Sequence, residues 1–310
     1  MLEDPRAPGA NPAAITIVGA GAVGCALAAA LCDAGSRPAL AVRSRFTQLQ
    51  RVLGDETRSY DVTQITEPPR DASADWLFLC TKAYQTGSAQ HWLDALVDCN
   101  TTVAVLQNGI NHAERVASYC SADQVLPVVV QMASERTAPG SVQQTRAGKL
   151  IVPDNDRGRA FAALLKNSNA VDVLCVEDFH SALWHKLTMN AVCGGICALT
   201  LRRNEVLGEP TIRHLAKQMM AEVMQVACAD GATYPANYVT SALDLISGPV
   251  ASHWTSIAAD RRDGLPMEWQ VRNAVVGEIG ARHGIQTPLM DVVTALLSAA
   301  HSQPSADSAT

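Results

Sequence analysis

The chain has 310 residues, of which 48% are hydrophobic and 17% charged, the make-up of a packed protein and not of a disordered one. That length exceeds one typical hydrophobic core and suits two domains. A net charge of −6 disfavours nucleic acid as the partner, because phosphate binding needs a basic face.

Residues 1–12 are polar and Pro-rich, without the apolar core of a secretory signal, and are expected to form a flexible tail. Residues 14–18 then read as a β-strand and 23–34 as an Ala- and Leu-rich helix closed by Gly35. Further strands are expected at 38–42, 76–80, 103–106 and 125–130. Strands alternating with helices imply right-handed crossovers and a parallel sheet. After Ala138-Pro139-Gly140 the pattern changes. Residues 141–145 and 149–152 flank Arg146-Ala147-Gly148 and read as a hairpin. A helix at 157–168 and a strand at 171–175 follow.

From Asp178, a plausible N-cap, strand signals stop. Helices are expected at 179–201, 211–230 (ending at Gly231), 238–246, 269–283 (ending at Gly284) and 288–301. The expected organisation is α/β for residues 13–176, all-α for 177–302, and a second flexible tail at 303–310. No apolar run is long enough to cross a membrane. The nine cysteines include no C-x-x-C pair and lie mostly in apolar patterns, where a reduced thiol acts as a small hydrophobe; no metal site and a reducing cytoplasmic location are expected.

The first strand runs into Gly19-Ala20-Gly21-Ala22-Val23-Gly24. In a G-x-G-x-x-G turn the first glycine allows the tight turn, the second lets backbone approach a pyrophosphate, and the third lets helix and strand pack closely. Ala22 and Val23 open the helix, whose unpaired N–H groups face the phosphates. The end of the second strand reads Val42-Arg43-Ser44-Arg45, without the carboxylate that a ribose 2′-hydroxyl calls for. Arg43 and Ser44 suit a 2′-phosphate, so NADP(H) is favoured over NAD(H).

Two further polar segments stand at strand ends: Thr81-Lys82-Ala83-Tyr84-Gln85 and Leu106-Gln107-Asn108-Gly109. In the helical half, Lys186 and Asn190 lie one turn apart on one helix face, and Pro266-Met267-Glu268 opens a later helix. With the glycine turn, these motifs are in the order and spacing of the ketopantoate reductase (2-dehydropantoate 2-reductase) family, which the chain resembles from about residue 14 to 297.

The resemblance implies an N-terminal Rossmann-type domain that binds NADP(H), a C-terminal helical domain, and reduction of a small 2-keto acid, 2-dehydropantoate, to its 2-hydroxy acid, pantoate, a precursor of pantothenate. It places the family's catalytic residues on Lys186, as general acid, and on Glu268, which would orient Lys186 or accept a substrate hydroxyl. Substrate contacts fall on Asn190 and Ser256, and cofactor contacts on Lys82 and Asn108. Two positions depart from the family pattern. Gly194 and His253 stand where asparagines are common, which raises the alternative of another 2-keto acid, with a bulkier one fitting beside the glycine. A non-catalytic NADP(H)-binding sensor on the same fold is the alternative of a different class. The apolar helices of the second half are compatible with a homodimer. His180, His185, Trp254 and Trp269 read as structural.

Overall fold

The computed structural model describes residues 14–70 and 72–301. Both expected tails, 1–12 and 303–310, lie outside the described residues. The chain forms two compact units. One runs up to Gln107 and continues with Asn111–Phe179; the other comprises Asn108–Ile110 and the chain from His180 onward.

The first unit is built on a six-stranded, all-parallel sheet. Its strands in spatial order are Thr63–Ile65, Ala39–Ala41, Ile15–Val18, Trp76–Leu79, Thr102–Val105 and Val125–Pro127. Numbered along the chain within that sheet, the order is 3-2-1-4-5-6, the Rossmann arrangement. The central strands Ile15–Val18 and Trp76–Leu79 are buried throughout. That is why they read as unbroken apolar runs and not as alternating ones. The helix Ala22–Asp33 is buried from Gly24 to Leu31, and its alanines let it lie close against the sheet.

Two smaller sheets complete this unit, and they overturn the hairpin expected about Arg146-Ala147-Gly148. Ser141–Gln144 pairs antiparallel with Ser134–Ala138 and parallel with Leu49–Leu53. Gly148–Pro153 lies in another sheet, antiparallel to Val129–Gln131 and parallel to Val171–Val176. The turn residue is Gly140, whose φ of +75° reverses the chain and whose missing Cβ leaves room for the Phe46 ring. The single strand expected at 125–130 is also two, Val125–Pro127 and Val129–Gln131, as the chain passes from the main sheet into a smaller one. The hairpin Leu49–Leu53 with Glu56–Tyr60 escaped the sequence reading, because its second strand is exposed and polar.

The second unit is helical. Phe179–Met189 continues through a wide π turn, Asn190–Gly194, into Gly195–Thr200, and ends at Leu201 with φ +52°. The uniform α-helix expected over 179–201 is therefore interrupted at the candidate site residue Asn190. A second π turn, Gln270–Ala274, opens the helix that continues as Val275–Arg282. Pro210–Ala229, Tyr238–Ser247 and Pro288–His301 match expected helices, whereas Ser256–Arg262 did not show as one. The core gathers Trp184, Leu187, Ala191 and Val192 from the first helix with Met219, Met220 and Val223 from Pro210–Ala229. Among the described residues, no helix is long and apolar enough to cross a membrane.

Arg51 ties the hairpin of the first unit to the end of its first helix. It is 1% exposed, and its Nη1 donates to Asp33 Oδ2 at 2.6 Å, while the Tyr60 hydroxyl donates to Asp33 Oδ1 at 3.0 Å. Removing one charge of a buried pair leaves the other uncompensated. Asp33→Asn is expected to lower stability by about 3 kcal/mol, read as a shift of the urea unfolding midpoint.

Candidate active site

In the first unit, the glycine turn sits where the sheet's connections diverge, between the strands Ile15–Val18 and Trp76–Leu79. Gly19 has φ +111°, and a Cβ on it would come within 2.7 Å of the Thr81 backbone nitrogen. A Cβ on Gly24 would strike the Gly19 carbonyl oxygen, so the helix rests directly on the turn. Gly21 is different, with nothing within 4 Å of a Cβ built there. It is also the N-cap of Ala22–Asp33 and supplies no side-chain cap. Unpaired N–H groups, the positive end of the helix and open space thus coincide. This cradle fits the pyrophosphate of a dinucleotide.

Arg43 and Ser44 follow the strand Ala39–Ala41, are exposed, and have unpaired side chains among the described residues. Lys82 is half-buried in the loop that Gly19 touches through Thr81. Buried Gln107, which the sequence reading passed over, organises that loop. Its Nε2 donates to Thr81 Oγ1 at 2.9 Å, to Thr86 Oγ1 at 3.1 Å and to the Lys82 carbonyl at 3.4 Å.

Asn108 belongs to the second unit and is the first link of a polar chain there. Its Nδ2 donates to Glu268 Oε2 at 2.9 Å, and its Oδ1 accepts from Asn190 Nδ2 at 3.2 Å. Glu268, 2% exposed, also faces Arg272, whose Nη2 lies 3.4 Å from Oε2 and donates to Ser256 Oγ at 2.8 Å. Asn190, Asn108, Glu268, Arg272 and Ser256 therefore form one connected network. The resemblance assigned Asn108 to the cofactor; the structure engages its amide with Asn190 and Glu268.

Arg272 is the site residue that sequence reading missed. Its signal was present, since Glu268 and Arg272 stand four apart at a helix start and face each other there. Ser256 is held at the beginning of Ser256–Arg262, where Thr255 Oγ1 caps the Ala258 N–H. The preceding loop is pinned by Asn204, whose backbone N–H donates to the His253 carbonyl and whose Nδ2 donates to the Val250 carbonyl. The His253 ring is half-buried and without a hydrogen-bond partner among the described residues.

Lys186 is half-buried on Phe179–Met189 and makes no hydrogen bond or ion pair among the described residues. Burial, then the Arg272 charge, lower its pKa to about 8. Sequence reading left open whether Glu268 would keep this lysine charged or a cationic, apolar setting would lower its pKa; the second holds. Gly194 does not provide the room expected beside it. A Cβ there would lie 3.2 Å from Ile257 Cγ2, so Ile257 already occupies that space.

The other residues read as structural have structural partners. His180 lies 3.1 Å from Asp230 Oδ2, and His185 Nε2 is 2.7 Å from the Thr233 carbonyl. Arg203 and Arg262 stack on Trp254, and Trp254 and Trp269 pack against the helical core. Among the described residues no group of His, Cys, Asp or Glu is placed to hold a metal ion.

Known proteins are similar to this chain over nearly its whole length. A family model described as ketopantoate reductase PanE/ApbA matches residues 15–157, and one described as ketopantoate reductase PanE/ApbA C terminal matches residues 178–301. A 2-dehydropantoate 2-reductase of Mycobacterium tuberculosis is 35% identical over 298 residues, covering 94% of this chain and 98% of that protein. One from Caulobacter vibrioides is 34% identical over 287 residues, covering 92% and 98%. The crystal structure of 2-dehydropantoate 2-reductase from Geobacter metallireducens superposes with a TM-score of 0.86 at 26% identity, covering 92% of this chain and all of that one.

The depressed Lys186 pKa has a signed consequence. Between about 8 and the unfolded value near 10.4 the unfolded chain binds more protons at this residue, so its contribution to stability rises with pH across that window and is flat below it. Arg272→Gln removes the cation and is expected to move the Lys186 titration upward, followed by NMR of labelled lysine.

Proposed function

The chain belongs to the ketopantoate reductase family, and from that premise we propose that it reduces a 2-keto acid, 2-dehydropantoate in the first instance, to the 2-hydroxy acid with NADPH. The observation that carries the reading is Lys186. It is a half-buried lysine without an anionic partner, its pKa lowered to about 8, on the helix that also carries Asn190.

NADPH, when bound at the glycine cradle with Arg43 and Ser44 toward its 2′-phosphate and Lys82 nearby, supplies the hydride. The remaining work belongs to the chain's own side chains. As the new C–H bond forms at C2, the carbonyl π electrons move onto oxygen. Lys186 donates an Nζ proton to that oxygen and is left neutral. A lowered pKa makes the ammonium a better acid than an ordinary lysine while leaving it mostly charged near neutral pH. Asn190 and Ser256 hold the substrate's polar groups. Glu268 acts as a positioning residue: it fixes the Asn108 amide, and through it Asn190, and it holds Arg272 in place.

A second reading, a reductase of the same type for a different 2-keto acid, rests on His253, whose unpartnered ring stands three residues before Ser256. The keto-acid panel below separates the two. The highest kcat/KM on 2-dehydropantoate supports the first reading, and a clear preference for another acid supports the second.

Lys186→Ala is expected to lower kcat on the preferred keto acid by about 10²–10⁴-fold while leaving the NADPH Kd unchanged. In the unaltered enzyme, kcat/KM should fall as pH rises through about 8, because the acid form of Lys186 is lost. Near-full turnover by the alanine variant across the panel would show that Lys186 is not the acid. Arg43→Ala should weaken NADPH by about tenfold or more and leave NADH nearly unchanged, since one charged hydrogen bond is worth about 1.5–3 kcal/mol. Equal weakening of both would count against NADP(H).

A further inference from the structure

We infer that Arg272 reads the carboxylate of the substrate, through the Nη1 edge of its guanidinium in front of Gly194. This rests on the reading above, that a 2-keto acid is what the site reduces.

A buried guanidinium requires partners for its charge and its N–H groups. Arg272 is 1% exposed, and a cation removed from water must be paired and hydrogen-bonded. Its own structure meets that need incompletely. Nη2 alone makes hydrogen bonds, to Ser256 Oγ at 2.8 Å and, at the long distance of 3.4 Å, to Glu268 Oε2. Nε is buried without a partner. Nη1 makes no hydrogen bond among the described residues.

Charge points the same way. Lys186 is within electrostatic reach of Arg272 and has no anionic partner of its own, and the one carboxylate bonded to Arg272 is Glu268, which also accepts from Asn108. Two cations share one paired carboxylate, so an anionic ligand is the complement that this arrangement lacks. The 1-carboxylate of a 2-keto acid supplies it, one bond from the carbonyl whose oxygen takes the Lys186 proton.

A Cβ on Gly194 would stand 3.9 Å from Nη1, so any side chain at 194 would begin to cover that edge. Ile257 Cγ2, 3.2 Å from the same notional Cβ, walls the other side with hydrocarbon. Glycine at 194 sets no side chain against the guanidinium edge, and the apolar wall strengthens a charge-assisted bond by keeping water from it.

The test compares a 2-keto acid with its neutral amide, which keeps the shape and the reacting carbonyl but not the anion. A panel of 2-keto acids including 2-dehydropantoate, with NADPH consumption as readout, first identifies the preferred acid. The unaltered enzyme should favour that acid over its amide by about 100-fold or more in kcat/KM. Arg272→Gln should lower kcat/KM for the acid by about 100-fold, mainly through KM, and by about tenfold more than for the amide, which shares only the loss of the Ser256 and Glu268 contacts. Arg272→Lys, which keeps the charge without the planar fork, should recover about tenfold of the loss on the acid. NADPH affinity and melting temperature check that each variant is folded. If the glutamine variant does not fold, Arg272→Lys carries the test alone, with an expected rise in KM about tenfold larger for the acid than for the amide. Equal losses on acid and amide overturn the inference and make Arg272 a purely structural residue. Absence of turnover by the unaltered enzyme on every acid of the panel overturns the underlying reading, and this inference with it.

Discussion

A guanidinium and a carboxylate are buried together at the start of one helix of the second unit, and the candidate site is arranged around them. Neither Arg272 nor Glu268 is stable in that environment without the other, because each would leave an uncompensated charge out of water. Glu268 is engaged with Arg272 and Asn108, and Lys186 makes no ion pair among the described residues. Burial and the neighbouring cation then bring the lysine's pKa down to about 8. The low lysine pKa thus follows first from burial and then from the guanidinium packed nearby.

The same helices carry two π turns, Asn190–Gly194 and Gln270–Ala274, and these contact each other through side chain and backbone. Asn273 Nδ2 donates to the Ala191 carbonyl at 2.8 Å, joining one wide turn to the other. A π turn shifts the helical register and frees backbone groups that need outside partners. Here the partner comes from the opposing wide turn, which locks the segments bearing Asn190 and Arg272 in one relative position. The first unit uses a simpler device. Its glycine turn is tight at Gly19 and Gly24 and open at Gly21, so backbone packing closes the turn while leaving space at the helix N-terminus.

Much of this was legible from residue order. The apolar runs at Ile15–Val18 and Trp76–Leu79 signalled buried parallel strands because both faces are covered. The glycine spacing signalled the cradle, and the Lys186–Asn190 spacing signalled a shared helix face. What was misread had a local look and a non-local cause. The segments on either side of Arg146-Ala147-Gly148 alternate like a hairpin, yet each finds its partners in a different sheet. Glycine at 194 suggested room, but Ile257, from a helix more than sixty residues further along the chain, fills it. The partners of the Asn108 amide, Asn190 and Glu268, are likewise far off in the sequence.

Sequence alone determined the α/β and all-α halves, the parallel strands flanking a glycine turn, and the pairing of lysine with asparagine one turn apart. Each of these depends on periodicity or on neighbours within a few positions. Tertiary structure decided which charge meets which. That Glu268 meets Asn108, that Lys186 lies near Arg272 without a counter-ion among the described residues, and that residue 194 sets no side chain against the guanidinium are outcomes of packing segments some 80 to 160 residues apart. Electrostatic energies in a buried site depend on distance and desolvation, and neither is written in the order of the residues.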